Sequence, residues 1–103
     1  MLKFDYNTAE KVITLVFSGR MDALAVTKLT TMIEAETGMN EAGPDYKIVF
    51  DLNEVEYIAS SFIRICVFYA KQAGHDNFSM INCQPFVKKT FKISGLDEAL
   101  NIV

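Results

Sequence analysis

The chain has 103 residues, with 13 acidic side chains against 10 lysines and arginines and a formal net charge of -3. That length suits one small domain spanning residues 1–103, and a hydrophobic fraction of one half is enough for a single core. The negative balance excludes a nucleic-acid backbone as the partner, because such binding needs a basic face. The densest basic set is only Lys88, Lys89 and Lys92. His75 stands alone, so no His/Cys zinc set is available and no metal or cofactor is expected. Cys66 and Cys83 are far apart, form no C-x-x-C and lie in apolar segments, which reads as two reduced, buried thiols of a cytosolic protein. MLKFDYNTAEK has no basic region followed by an apolar run, so it does not read as a signal peptide. Arg64 and Lys71 interrupt the longest apolar stretch, so no insertion into a membrane is expected.

Leu2 to Tyr6 alternates as a strand, Asn7 to Glu10 reads as a turn, and Val12 to Phe17 is a β-branched second strand. The short link predicts an antiparallel hairpin. Gly19 to Asp22 ends that strand, and Asp22 is a good N-cap for a helix from Ala23 to about Gly38. Ala25, Leu29, Met32 and Ile33 give this helix one apolar face, and Gly38 with the stretch Asn40 to Pro44 stops it. Lys47 to Leu52 is an apolar run fitting a central parallel strand covered on both faces. A loop from Asn53 to Ala59 leads to a second helix, about Ser61 to Ala73, stopped by Gly74. Asn77 to Asn82 is a further strand. Pro85 suits the first turn of a third helix, capped by Asn82 or Gln84. Ser94-Gly95 breaks that helix, and Leu96 to Val103 forms a last short helix or strand. The order β-β-α-β-α-β-α plus a short C-terminal element predicts an α/β fold with a mixed, mostly parallel sheet of four to five strands.

In such sheets, sites gather in loops at the carboxyl ends of the parallel strands. Asp22 and Ser60 both follow strand ends, which makes them candidate neighbours. The Ser60-Ser61 pair falls at a helix start, where hydroxyls can cap the helix and where a phosphate is equally at home. On the second helix Phe62, Cys66, Tyr69, Ala70 and Ala73 share a face toward the sheet. Arg64, Val67, Phe68 and Lys71 lie opposite. An apolar pair between two basic residues is either covered by another segment or a docking face for a protein.

Three stretches carry a resemblance that spans nearly the whole chain. SGRMD, Ser18 to Asp22, is similar to G-x-[LM]-D. DLNEVEYIASSF, Asp51 to Phe62, is similar to D-L-x-x-[VL]-x-[FY]-[ILM]-D-S-S-G. FKISGLDEAL, Phe91 to Leu100, is similar to [FL]-x-[LI]-[ST]-G-L-x-x-[LIV]. In this order and spacing they resemble the STAS domain, the anti-sigma factor antagonist family. Two positions depart from the pattern: Ala59 stands where the family has Asp, and Phe62 where it has Gly.

The resemblance implies the STAS fold and a cytoplasmic bacterial regulator that is a binding module rather than an enzyme. Its partner would be an anti-sigma factor that is also a serine kinase of the histidine-kinase-like ATPase fold, with a PP2C-type phosphatase reversing the modification. ATP would be the partner's cofactor. The first Ser of the motif is the acceptor in many members, which implies Ser60, with Ser61 the weaker candidate. Asp22, Ala59, Ser60, Ser61, Arg64 and Phe68 make up the expected partner-binding set, on a chain expected to be monomeric when free. The alternative is a STAS scaffold, or a regulatory subunit of a stress-sensing assembly or a lipid-transporter ATPase, working without phosphorylation.

Overall fold

The computed structural model describes residues 2–37 and 46–103. Strand β1 (Leu2–Asn7) and strand β2 (Val12–Met21) are followed by helix α1 (Ala23–Thr37), strand β3 (Lys47–Ile58) and helix α2 (Ser60–Ala73). A 3-10 turn (His75–Asn77), strand β4 (Phe78–Ile81) and helix α3 (Pro85–Ile93) complete the order. The expected stop of the first helix at Gly38 and Asn40 to Pro44 lies outside the described residues.

The sheet runs β1-β2-β3-β4, with β1 antiparallel to β2 and the other pairs parallel. The β1–β2 turn is tied by the Asn7 side-chain oxygen, which accepts from the Glu10 amide at 3.0 Å. Parallel crossovers are right-handed, which puts α1 and α2 on one face of the sheet, where they pack side by side. The strands therefore alternate: Ile13, Leu15 and Phe17 of β2 and Ile48, Phe50 and Leu52 of β3 are buried. Val49 and Asp51, on the other face of β3, are only half-buried, so this strand is covered on one face and not on both. Aromatic rings knit the covered side. Phe17 and Phe78 each lie 4.9 Å from Phe50, and Phe62 of α2 meets Phe17 edge-on at 5.3 Å.

Two strands are longer than their apolar runs. β2 continues to Met21 and β3 to Ile58, so the predicted loop from Asn53 to Ala59 is mostly strand. The two extensions pair with each other, and the register shifts between Val16 and Ser18 and again between Gly19 and Arg20. Gly19, at φ 91°, adopts the left-handed conformation that such an irregularity favours. Val55 and Ile58 point inward and anchor the added length. The C-terminal segment is neither helix nor full strand. It turns, and Ile102 makes a single parallel bridge to Met80. The Asn101 side chain donates to the carbonyls of His75 and Phe78, at 2.6 and 2.9 Å.

Candidate functional site

The site follows from two strands that end together. Met21 and Ile58 are paired residues, and the Ala59 amide donates to the Met21 carbonyl at 2.9 Å. The next residues, Asp22 and Ala59, thus stand side by side, and α1 and α2 start at the same edge of the sheet. The sequence expectation that Asp22 and Ser60 share a neighbourhood agrees with this arrangement.

The two helix starts are built differently. The Asp22 Oδ1 accepts from the Ala25 amide at 3.0 Å, and the Asp22 carbonyl accepts from the Val26 amide at 2.9 Å. Asp22 is therefore a true N-cap. The cap position of α2 is Ala59, extended at φ -94° and ψ 164°, with no side-chain hydrogen bond. Neither serine caps the helix, which corrects that part of the sequence reading. The reason is register: the helix begins at Ser60, one residue earlier than its apolar pattern indicated, so both hydroxyls fall inside the first turn. Ser60 is exposed, whereas the Ser61 Oγ is buried and has no hydrogen-bond partner among the described residues. The first turn of α2 holds no acidic side chain. Phe62 is fully buried, so its bulk is absorbed by the core and does not obstruct the edge.

Along α2, Phe62, Cys66, Tyr69 and Ala70 are buried as expected, and so is Ile65. Ile65 was missed because α1 lies alongside and widens the covered face. The same packing buries Val26, Leu29 and Ile33 of α1 and leaves Met32 exposed, against expectation. Arg64 and Lys71 are exposed, Val67 is half-buried, and Phe68 is 46% exposed with its ring edge-on to Tyr69 at 5.0 Å. No described segment buries Phe68.

Between α1 and α2 runs an open groove of about 670 Å³. Val26, Thr30 and Glu34 line it from α1, and Ser61, Ile65 and Tyr69 from α2, with Arg64, Phe68 and Lys71 on the outer side of α2. Tyr69 is 0% exposed and its Oη, like the Ser61 Oγ, has no hydrogen-bond partner among the described residues. Burial raises its pKa, with the nearby Glu34 carboxylate adding to the effect. An unmatched buried hydroxyl costs about 1–3 kcal/mol. On the other flank of α1, the Arg20 guanidinium stacks over the Tyr57 ring at 4.4 Å, and Leu24 is 70% exposed beside a hollow of about 290 Å³. The Arg20–Tyr57 stack depends on the β3 extension that sequence reasoning treated as loop.

Third comes the junction between β4 and α3. Pro85 opens α3 as expected, and the cap position is Gln84, whose side chain bonds the Asn53 carbonyl instead of capping. Asn82, the other candidate cap, is left-handed at φ 57° and donates to Asp51 at 3.3 Å. Cys83 here is only half-buried, while Cys66 is fully buried; both are free thiols. Burial pushes the Cys66 thiol well up, and burial pushes Cys83 up to about 11. His75 is exposed in its turn, 3.6 Å from Asp76. Among the described residues no three His, Cys, Asp or Glu side chains gather in a way that could hold a metal ion, and no helix is long and apolar enough to cross a membrane.

No protein-family model matches the chain. The chain is 31% identical over 65 residues to BtrV of Bordetella bronchiseptica, assigned as an anti-sigma factor antagonist. That match covers 61% of this chain and 56% of the relative, so the chain spans little more than half the length of the curated protein it matches. An anti-sigma-factor antagonist (STAS) domain protein from Planctomyces limnophilus superposes with a TM-score of 0.80 at 20% identity, covering 99% of this chain and 87% of its own. SpoIIAA of Bacillus, an anti-sigma factor antagonist, superposes in its unphosphorylated form with a TM-score of 0.74 at 15% identity, covering 100% and 86%. Its phosphorylated form gives 0.67 at 14%, covering 100% and 91%.

Proposed function

We propose that this chain, whose fold is that of a STAS domain, is an anti-sigma factor antagonist. It binds an anti-sigma factor through the edge where α1 and α2 begin, using Asp22, Ala59, Ser60, Ser61, Arg64 and Phe68. Phosphorylation of Ser60 by that partner, a serine kinase of the histidine-kinase-like ATPase fold, releases it. A PP2C-type phosphatase resets the switch, and the chain itself is a substrate and binding module. The observation that carries this reading is the contrast within the serine pair: Ser60 is exposed at the first residue of α2, and Ser61 is turned inward. The named relatives BtrV and SpoIIAA support the class of function, and SpoIIAA carries its phosphate on the same fold.

The physics suits a switch. A phosphoserine adds about -1.5 to -2 charges and three acceptor oxygens. At a helix start the dipole favours it by about 0.3–1 kcal/mol, so the free domain tolerates the group. Inside an interface the phosphate must be desolvated, and an affinity loss of about 100-fold needs only about 2.7 kcal/mol. Phosphorylation therefore spares the fold and breaks the complex.

The test is intact-mass spectrometry of the chain from its own organism, with peptide mapping across Glu54 to Lys71, joined to calorimetry against the candidate kinase. A species heavier by one phosphate at Ser60, and weaker binding by Ser60→Asp with an unchanged circular-dichroism spectrum, is the expected result. No phosphate under several growth conditions, with Ser60→Asp binding as wild type, would sink it. The alternative is the scaffold or transporter-ATPase subunit, which the stretch Ala59 to Phe62 keeps open because Ala59 stands where the family pattern has the carboxylate immediately before the acceptor. A megadalton assembly or copurifying transporter subunits would mark that reading.

A further inference from the structure

We infer that the α1–α2 groove is the seat for an amphipathic helix of the protein partner. The occupant is acidic along the side that faces Arg64 and Lys71, and basic where it meets Glu34. This rests on the proposed antagonist reading and extends it from the edge at Ser60 onto α1, whose residues in the groove no sequence signal marked.

Three independent observations point there. First, the buried side-chain polar atoms left without a hydrogen bond among the described residues are Ser61 Oγ and Tyr69 Oη, and both belong to residues lining this groove. Ala and Phe at these positions would fill the same space with nothing unmatched. Both atoms are closed to solvent in the free domain, so an occupant recovers what the free domain leaves unmade only by parting the groove wall enough to bring polar side chains against them. Second, the shape suits a rod. Both helices follow parallel strands and so run the same way. Ser61 and Tyr69 are eight residues apart on α2, about 12 Å along its axis. An open channel of that length, apolar in the middle at Val26 and Ile65, matches two turns of a helix laid between two others. Third, its rims differ in charge. Arg64 and Lys71 on α2 and Glu34 on α1 are exposed, and none makes an ion pair with a described residue. Charges held unpaired around a half-exposed Phe68 fix the direction and register of a complementary helix. A second copy of this chain fits less well, because a twofold α2–α2 contact centred on Phe68 would set Arg64 against the other copy's Lys71.

The probe is the purified anti-sigma factor/serine kinase of the same organism, titrated by calorimetry into wild type, Ser60→Asp, Tyr69→Phe and Glu34→Lys. Tyr69→Phe should bind about tenfold more weakly while melting at the same or a higher temperature. A merely structural hydroxyl would not give that pairing. Glu34→Lys, on the surface, should also lose about tenfold and should keep its melting temperature. If Ser60→Asp weakens binding while Tyr69→Phe and Glu34→Lys bind as wild type, the groove proposal falls and the antagonist reading stands. If wild type does not bind the kinase, both fall. Should Tyr69→Phe melt lower, Glu34→Lys alone decides. Self-association of the free chain in sedimentation, abolished by Glu34→Lys, would assign the groove to a second copy and overturn the proposal.

Discussion

α1 and α2 begin side by side at one edge of the sheet, yet they are secured by different means. α1 is closed by its own carboxylate: Asp22 occupies the amide of Ala25. α2 has only Ala59 at the equivalent place, and its start is held from below by Phe62, buried edge-on against Phe17. One junction is fixed by a hydrogen bond at the surface and the other by packing in the core. The lesson is that a helix start can be rigid while its amides stay unclaimed by any side chain. That is the condition an incoming anionic group needs.

The comparison can be broken from either side. Phe62→Gly, which would match the pattern of the resemblance, should destabilise the domain most, by about 3–5 kcal/mol, through the cavity it leaves. Urea unfolding measures this, and a loss below about 1 kcal/mol would mean that α2 is not held by packing. Asp22→Ala should cost about 1 kcal/mol in the same assay by uncapping α1. Ala59→Asp should do the reverse at α2, with a gain smaller than about 1 kcal/mol because the new carboxylate sits near Asp22. If it destabilises, α2 cannot accept a cap.

The third junction, between β4 and α3, sharpens the contrast by adding a titrating group. Cys83 has its pKa pushed up to about 11, so the folded domain keeps this thiol neutral at pH values where the unfolded chain, near 9, ionises it. Above about pH 9 the unfolded state binds fewer protons, so stability should fall as pH rises from about 9 to 11 and be unaffected below. Cys83→Ser should flatten that slope relative to wild type. At neutral pH, alkylation by iodoacetamide should be slow at Cys83 and slower at the buried Cys66.

Most of this architecture was legible because hydrophobic periodicity reports burial directly. Val12 to Phe17 and Lys47 to Leu52 announced their strands, and Phe62, Cys66 and Tyr69 announced the covered face of α2. The extensions of β2 and β3 were not legible. Asn53, Glu54 and Glu56 are polar, and this stretch is held as strand because Glu54, Val55, Tyr57 and Ile58 pair with Ser18, Gly19, Arg20 and Met21 of β2, more than thirty residues away in sequence. Ile65 and Val26 were missed for a related reason: a helix packed against both a sheet and a second helix buries more than one stripe. At the site, the order of the serines was readable from the motif, but their opposite orientations were not. A one-residue shift in helix start changes which hydroxyl faces solvent. The groove on α1 had no sequence signature, since Thr30 and Glu34 look like ordinary surface positions.

The strand order β1-β2-β3-β4 means that every strand lies beside its neighbour in sequence. Each new strand can therefore add to the edge left by the previous one as the chain leaves the ribosome, with nothing to thread and no earlier pairing to undo. The last stitch is the Val103 amide on the Met80 carbonyl. Pulse-labelled amides should accordingly gain protection in the β1–β2 hairpin before β4, with Val103 among the last.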